Sequence, residues 1–369
     1  MVNRSSECVR WGILGCGQIA DLRMAPAINE AQNAELVSIS SRSLEKAKAF
    51  ADKHGARKHY GDLDQFLEDR EIDVVYIATP PNLHAQHVRK VAQHKKHILC
   101  EKPMATTVAE CKEMIDVCQK ENVKLMIACN MRFNPAHMKA KEIIEKGLLG
   151  KIIFVRAQEC FYLPPDPNAW RLQSSIGGGG SLADAGIHSI DLLRFLTGSE
   201  VVEISAFVDN VVFDYSVEDT AIVTMKFASG GYGLVDSCYS TRYVEDVLEI
   251  YGSQGSLFGS KTLWMGRAPG ELRGFFDQTR TTHELEYAPP WGQDPSLGGW
   301  GSLMKQYDLK PRNIYAAEVE HFSECIEQDK PPMIDGWEGL KDLQVVKAAY
   351  ESSVKKRTIE ISESYQLTS

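Results

Sequence analysis

Val9-Arg10-Trp11-Gly12-Ile13-Leu14 runs directly into Gly15-Cys16-Gly17-Gln18-Ile19-Ala20. A strand-length apolar run feeding G-x-G-x-x-A is the strand–turn–helix fingerprint of a dinucleotide site. Gly15 serves the tight turn and Gly17 lets a pyrophosphate approach the backbone. Ala20 lets the next helix pack closely, and Gln18 and Ile19 open that helix where its free N–H groups face the phosphates. Alone the motif is weak, and its context strengthens it. Strand-like runs at 36–40, 74–78, 97–100 and 124–129 alternate with helix-like runs at 44–54, 84–93 and 108–121. Repeated βα units predict a doubly wound parallel sheet with right-handed crossovers, an α/β fold.

In such sheets ligands sit beyond the carboxyl ends of the strands. After the second strand, where an acidic residue would hold the ribose diol of NAD, the chain has Ser41-Arg42-Ser43, with Lys46 one turn on. A hydroxyl and two cations suit a 2′-phosphate, so NADP is the expected cofactor, with NAD the alternative. Arg42 as a plain solvated loop residue is the other reading. After 97–100 come Glu101-Lys102-Pro103. Pro103 biases Lys102 towards extended backbone, which stops the strand and leaves an ammonium at the ligand edge. A surface lysine after a buried strand is the bland alternative.

At 369 residues, with 43% hydrophobic and 25% charged residues, the chain suits two ordinary domains. We place the first at 1–131 and the second at 132–369. A formal net charge of -9 without a long basic run argues against nucleic acid as a partner. The opening residues lack a signal peptide's apolar core, and no apolar run reaches membrane-span length, so a cytoplasmic protein is expected. Nine scattered cysteines without a C-x-x-C pair suggest neither a disulfide framework nor a metal site. Most of the nine are expected to be core thiols; Cys111 and Cys118, seven apart, would share a helix face, and Cys100, beside Glu101, is the candidate for solvent access, with an inert buried thiol the competing reading.

A helix at 136–146 is expected to bridge to the second domain, after which the period turns strand-like at 152–160, 221–227, 232–239 and 244–251. This pattern predicts an antiparallel sheet. Between the first two lies Gly177-Gly178-Gly179-Gly180 and then a helix-like run over 181–196. There Asp184 and His188 stand four apart and Asp191 three further on, all on one face. A carboxylate in that position can orient an imidazole, and a histidine is the natural group to take a carbinol proton. The competing readings are a capping box at Ser181-x-x-Asp184 and a satisfied core histidine. Residues 267–307, irregular and containing Trp291 and Trp300, read as a binding loop, a subunit contact or a disordered surface loop, the tryptophans favouring packing. Helices at 313–328 and 339–354 close the domain.

Taken together, Gly15-x-Gly17-x-x-Ala20, Ala78-Thr79-Pro80-Pro81-Asn82-x-His84, Glu101-Lys102-Pro103 and Gly178-Gly179-Gly180-Ser181-Leu182-x-Asp184-x-Gly186-x-His188-x-x-Asp191 resemble the Gfo/Idh/MocA family, the relatives of glucose-fructose oxidoreductase and inositol dehydrogenase. The resemblance spans about residues 9–361. It implies a Rossmann domain followed by an α+β domain with an open, mostly antiparallel sheet. It also implies nicotinamide-dependent hydride transfer at a carbinol carbon of a sugar or cyclitol, and homo-oligomerisation through the open sheet. By resemblance Lys102, Asp184 and His188 are the catalytic residues, and they also contact substrate. Thr79, Pro80, Asn82, His84 and Glu101 fall at the cofactor, and Trp170-Arg171 matches a pair reaching it from the second domain. Arg132 and Tyr162, with Trp170 and Arg171, are further candidates for substrate or cofactor, and packing at an interdomain wall is the equal alternative for each. Two other activities fit the same apparatus: elimination from a glycoside by transient oxidation with tightly held NAD, and a dinucleotide-responsive regulator without turnover.

Overall fold

The computed structural model describes residues 8–166, 169–262, 267–277, 286–287 and 302–361. The first unit alternates β1 Val9–Leu14, α1 Ala25–Glu30, β2 Ala34–Ser40, α2 Leu44–His54, β3 Lys58–Tyr60, α3 Leu63–Glu68, β4 Val74–Ile77, α4 His84–Gln93, β5 His97–Cys100, α5 Val108–Glu121 and β6 Leu125–Ile127. Its six strands pair in parallel in the order β3-β2-β1-β4-β5-β6. Strand order therefore reverses between β1 and β4, and that crevice is where a doubly wound sheet binds dinucleotide. The expected strands and helices appear, and the short β3 and α3, of three and six residues, are additions. α5 begins in a full capping box, Thr107 with Glu110, and Cys111 and Cys118 both face the core from it. Cys100 corrects the sequence reading: it is fully buried in β5, and burial pushes its thiol far up.

α6 Pro135–Glu145 leads to the second unit, with β7 Ile152–Cys160, α7 Ser174–Gly177, α8 Ile187–Thr197, β8 Val201–Asp209, β9 Thr220–Phe227, β10 Tyr232–Cys238, β11 Leu248–Gly252, β12 Gly255–Ser260, β13 Glu271–Asp277, β14 Glu286–Tyr287, β15 Ser302–Gln306, α9 Ile314–Glu327, α10 Gly336–Lys355 and β16 Ile359–Glu360. Ten strands form one open sheet in the order β14-β15-β13-β12-β11-β7-β10-β9-β8-β16. Among the described strands of this sheet, only β7–β10 pairs in parallel. Val155 and Ala157 of β7 are buried on the face that α8 covers. Trp291, Trp300 and the stretches 278–285 and 288–301 of the expected loop lie outside the described residues.

The two units are packed together by the last helices. Ile314, Tyr315, Val319 and Phe322 of α9 join the core of the first unit, where Trp11 Nε1 donates to Ser323 Oγ at 3.1 Å. α10 sends Leu340 and Leu343 into that core and Val345, Val346, Ala348 and Ala349 into the second. Burial of these faces is what fixes the cleft between the sheets.

Arg132 belongs to this frame and corrects the expectation of a substrate contact. It is 3% exposed. Its Nη2 lies 2.6 Å from Asp191 Oδ1 and 2.7 Å from Glu338 Oε2. Alongside, Arg194 pairs with Asp342 at 2.6 Å. Asp191 is thereby a structural partner as well. Arg132→Ala strands Asp191 without its main cation and lowers unfolding free energy by about 3–5 kcal/mol. Urea titration measures this as an earlier midpoint. A wild-type midpoint with an altered substrate KM would return Arg132 to the binding site.

Candidate active site

Gly15 sits at φ +106°, where only glycine is comfortable, and a Cβ there would stand 2.9 Å from the Ala78 carbonyl oxygen. At Gly17 a Cβ would meet nothing nearer than 3.8 Å, so the turn has room on its outer side. Ala20 is fully buried beneath it. Gln18, Ile19, Ala78, Thr79, Pro81, Glu101 and Lys102 then line one side of a cavity of about 260 Å³. This turn, cradle and strand-end set fits a dinucleotide, whose nicotinamide end would face Lys102. Ser41 lies at the end of β2, and Arg42 and Lys46 are exposed nearby. Lys46 shares a shallow surface hollow with Cys16, Gly17 and Gln18.

Three residues of the turn after β4 fall elsewhere than the resemblance implied. Pro81, rather than Pro80, lines the cavity, and Asn82 is exposed away from it. His84 is fully buried. Its Nε2 lies 2.7 Å from the Thr79 carbonyl oxygen and its Nδ1 3.1 Å from that of Pro103. It therefore fastens the Thr79 turn to the Lys102–Pro103 turn, and its ring has no edge left for a cofactor.

The opposite wall comes from the second unit. Glu218 anchors the glycine run, its carboxylate accepting from Gly180 N and Leu182 N at 2.9 and 3.0 Å. A Cβ at Gly180 would stand 2.0 Å from the Glu218 carbonyl oxygen. The chain then makes a π-helical turn, Leu182–Gly186, before α8, where the sequence pattern predicts regular helix. Ser181 is inside the helical geometry and caps nothing with its side chain, so the capping-box alternative falls. The widened turn presents both the Asp184 carbonyl and carboxylate to Lys102, whose Nζ donates to each at 2.7 Å.

Asp184 Oδ2 also accepts from Tyr239 Oη at 2.9 Å and lies 3.3 Å from Arg171 Nε. Burial alone would raise the Asp184 carboxyl; Lys102, Arg171 and the Tyr239 hydroxyl overcome it and hold the group below the ordinary carboxylate range. The expected Asp184–His188 pair does not form. His188 lies in the same cavity wall, 2% exposed, and among the described residues neither ring nitrogen has a hydrogen-bond partner. Burial, with the nearby Lys102 charge, pushes its imidazole well down, so it stands neutral. Behind Lys102, burial raises the Glu101 carboxyl, partly offset by Lys102 and the Tyr76 hydroxyl that donates to it.

Trp170 and Arg171 line the cavity as expected, the guanidinium 4.5 Å above the indole. Tyr162 does not. It borders a neighbouring cavity with Arg242 over its ring at 3.6 Å. Two site residues escaped the sequence reading, Tyr239 and Glu159. Glu159 continues the buried alternation of Val155 and Ala157, and a carboxylate at an inward strand position was the available signal.

The sequence matches two adjoining family descriptions, "Oxidoreductase family, NAD-binding Rossmann fold" over residues 9–129 and "GFO/IDH/MocA C-terminal domain" over 137–258. It is 29% identical to the 1,5-anhydro-D-fructose reductase of Ensifer adhaerens, covering 92% of this chain and 96% of that one. It is 28% identical to the myo-inositol 2-dehydrogenase of Thermotoga maritima, over 96% and 99%. The crystal structure of aldose-aldose oxidoreductase from Caulobacter crescentus, complexed with glycerol, superposes with a TM-score of 0.83 at 30% identity, covering 96% of this chain and all of that one.

The geometry makes Tyr239 a support of Asp184 rather than a partner of substrate. Tyr239→Phe removes one hydroxyl donor from a shielded carboxylate and costs about 1–2 kcal/mol of stability. Because Asp184 then loses one of the groups that keep it ionised, the variant loses turnover at a higher pH on the acid side than the parent. Parallel denaturation and pH–rate profiles check both, and an unmoved acid limb would refute the support role.

Proposed function

The chain belongs to the Gfo/Idh/MocA family of NAD(P)-binding oxidoreductases acting on CH–OH groups, and from that premise we propose how its own residues perform the reaction on a sugar or cyclitol. One observation carries the reading. Lys102, from the end of a Rossmann strand, meets Asp184 and the unpartnered His188 in one cavity that opens onto the glycine turn.

The bound cofactor supplies a nicotinamide carbon that takes or gives the hydride. Lys102 Nζ has three hydrogens and spends two on Asp184. The third is free for the carbinol oxygen and steadies its charge as the O–H bond weakens. A ring nitrogen of neutral His188 accepts that proton. Asp184, held ionised, keeps Lys102 aimed, and Trp170 with Arg171 screens the site from water. Ser41, Arg42 and Lys46, with no carboxylate among 41–43, support NADP over NAD. The exposed face of the second sheet carries a ladder of half-buried aromatic rings, Phe154, Tyr251, Phe258 and Phe275. Exposed Phe207 and Tyr232 also suit a second copy of the chain. All nine cysteines are free, which suits the reducing cytoplasm.

Absorbance of reduced nicotinamide, followed across a panel of neutral sugars and cyclitols, tests the activity. Lys102→Met is expected to lower kcat by about 10²–10⁴-fold while the Kd for NADP(H), from fluorescence titration, stays within about twofold. A loss confined to cofactor affinity would overturn its role. Arg42→Ala is expected to weaken NADPH about tenfold or more and NADH hardly at all. Equal effects on both would assign the chain to NAD.

A further inference from the structure

The catalytic cavity continues past its far wall. Glu159 and Phe161, at the end of β7, line both the cavity of about 260 Å³ that contains Lys102 and a second, more open one of about 800 Å³ bordered by the turn at 241–246. Glu159 stands at the partition, 5% exposed, and its Oε2 has no hydrogen-bond partner among the described residues. Burying a carboxyl without a partner is costly, and the cost is recovered when a ligand supplies one. Burial pushes this carboxyl well up.

Size and charge define the ligand. The inner cavity is smaller than the roughly 300 Å³ at which small-molecule pockets begin, and it has to admit a nicotinamide ring together with the reacting carbon. A substrate of more than one ring therefore extends past Glu159. Beyond the partition, Glu245 and Asp246 accompany Glu159, and the cation on that wall, Arg242, already lies over the Tyr162 ring. With Glu245 4.0 Å from Lys261, acidic and basic groups there offset one another and favour no ionic ligand. Carboxyl groups, a guanidinium and aromatic faces in one hollow suit a neutral, hydroxyl-rich ring.

We propose that the outer cavity is a second sugar subsite, so that the preferred substrate is a neutral two-unit glycoside. Its reacting ring lies against Lys102, its second ring lies against the Tyr162–Arg242 wall, and Glu159 bonds a hydroxyl at the junction. The proposal rests on the dehydrogenase reading above and deepens it.

The test compares D-glucose and D-xylose with cellobiose, maltose and trehalose on the full chain loaded with NADP(H). Ligand-detected saturation-transfer NMR reads binding without turnover, and kcat/KM reads reaction. At least one disaccharide is expected to bind and react about tenfold better than the monosaccharides. Val244→Trp, which fills the outer cavity from its exposed turn, and Arg242→Ala, on the same turn, should each cut the disaccharide-to-monosaccharide ratio by about fivefold or more. Disaccharide binding with this dependence but no reduced nicotinamide leaves the subsite standing and removes the dehydrogenase reading. Oxidised monosaccharides with disaccharides that neither bind nor react, a ratio untouched by both variants, or no sugar binding at all overturns the subsite.

Discussion

The Lys102–Asp184 ion pair, 2.7 Å long with side chains 13% and 16% exposed, ties two separately built sheets together at the point where chemistry is expected. Taking two such charges out of water offsets most of their attraction, so the pair's value lies in geometry more than in stability. Much of the fold is arranged to deliver the two groups. β5 must end at Cys100, and the Thr79 and Lys102–Pro103 turns must be fastened by His84. The glycine run must be held by Glu218 so that the turn at Leu182–Gly186 opens towards Lys102. α9 and α10, packed into the first core and across both cores, keep the two walls from separating.

Much of this was legible in the sequence because it follows from period and from glycine. The βα alternation specified the first sheet, G-x-G-x-x-A located its crevice, and the Lys-Pro step marked a strand end with a charge on it. Lys102, Asp184 and His188 share one cavity, as their positions implied. Their pairing was not legible. A regular helix would set Asp184 against His188, whereas one widened turn directs the carboxylate to Lys102 and leaves the imidazole open. Helix periodicity cannot register a change of a fraction of a residue per turn.

Arg132 and His84 show the opposite failure, polar residues whose chemistry suits a site but whose work is structural. Both lie beside functional turns, and both satisfy buried partners that are far away in sequence, Asp191 and Glu338 for the one, the Pro103 carbonyl for the other. Nothing local distinguishes an arginine that awaits a substrate from one that neutralises a carboxylate 59 positions on. Tyr239 and Glu159 were missed for the same reason: their importance comes from strand register, β10 beside β7, which brings the two strand ends to one cavity.

The charges around Lys102 are uneven in a way that bears on which substrates the cavity tolerates. Among the carboxyls nearest it, burial raises Glu101 and Glu159, while Lys102 and Arg171 keep Asp184 low. The two cations, Lys102 and Arg171, thus flank the Asp184 carboxylate, and that charge balance sits at the spot where a carbinol oxygen would gather negative charge in the proposed reaction. A substrate already anionic would neutralise that balance in the ground state and gain less in the transition state. In the proposed reaction a neutral hydroxyl would meet the full field only as its proton left for His188, which would stabilise the transition state more than the bound alcohol. Burial and the Lys102 charge lower the His188 imidazole, so in that reaction it would accept the proton without first having to lose one, and the same ammonium that depresses its basicity would stabilise the oxygen left behind.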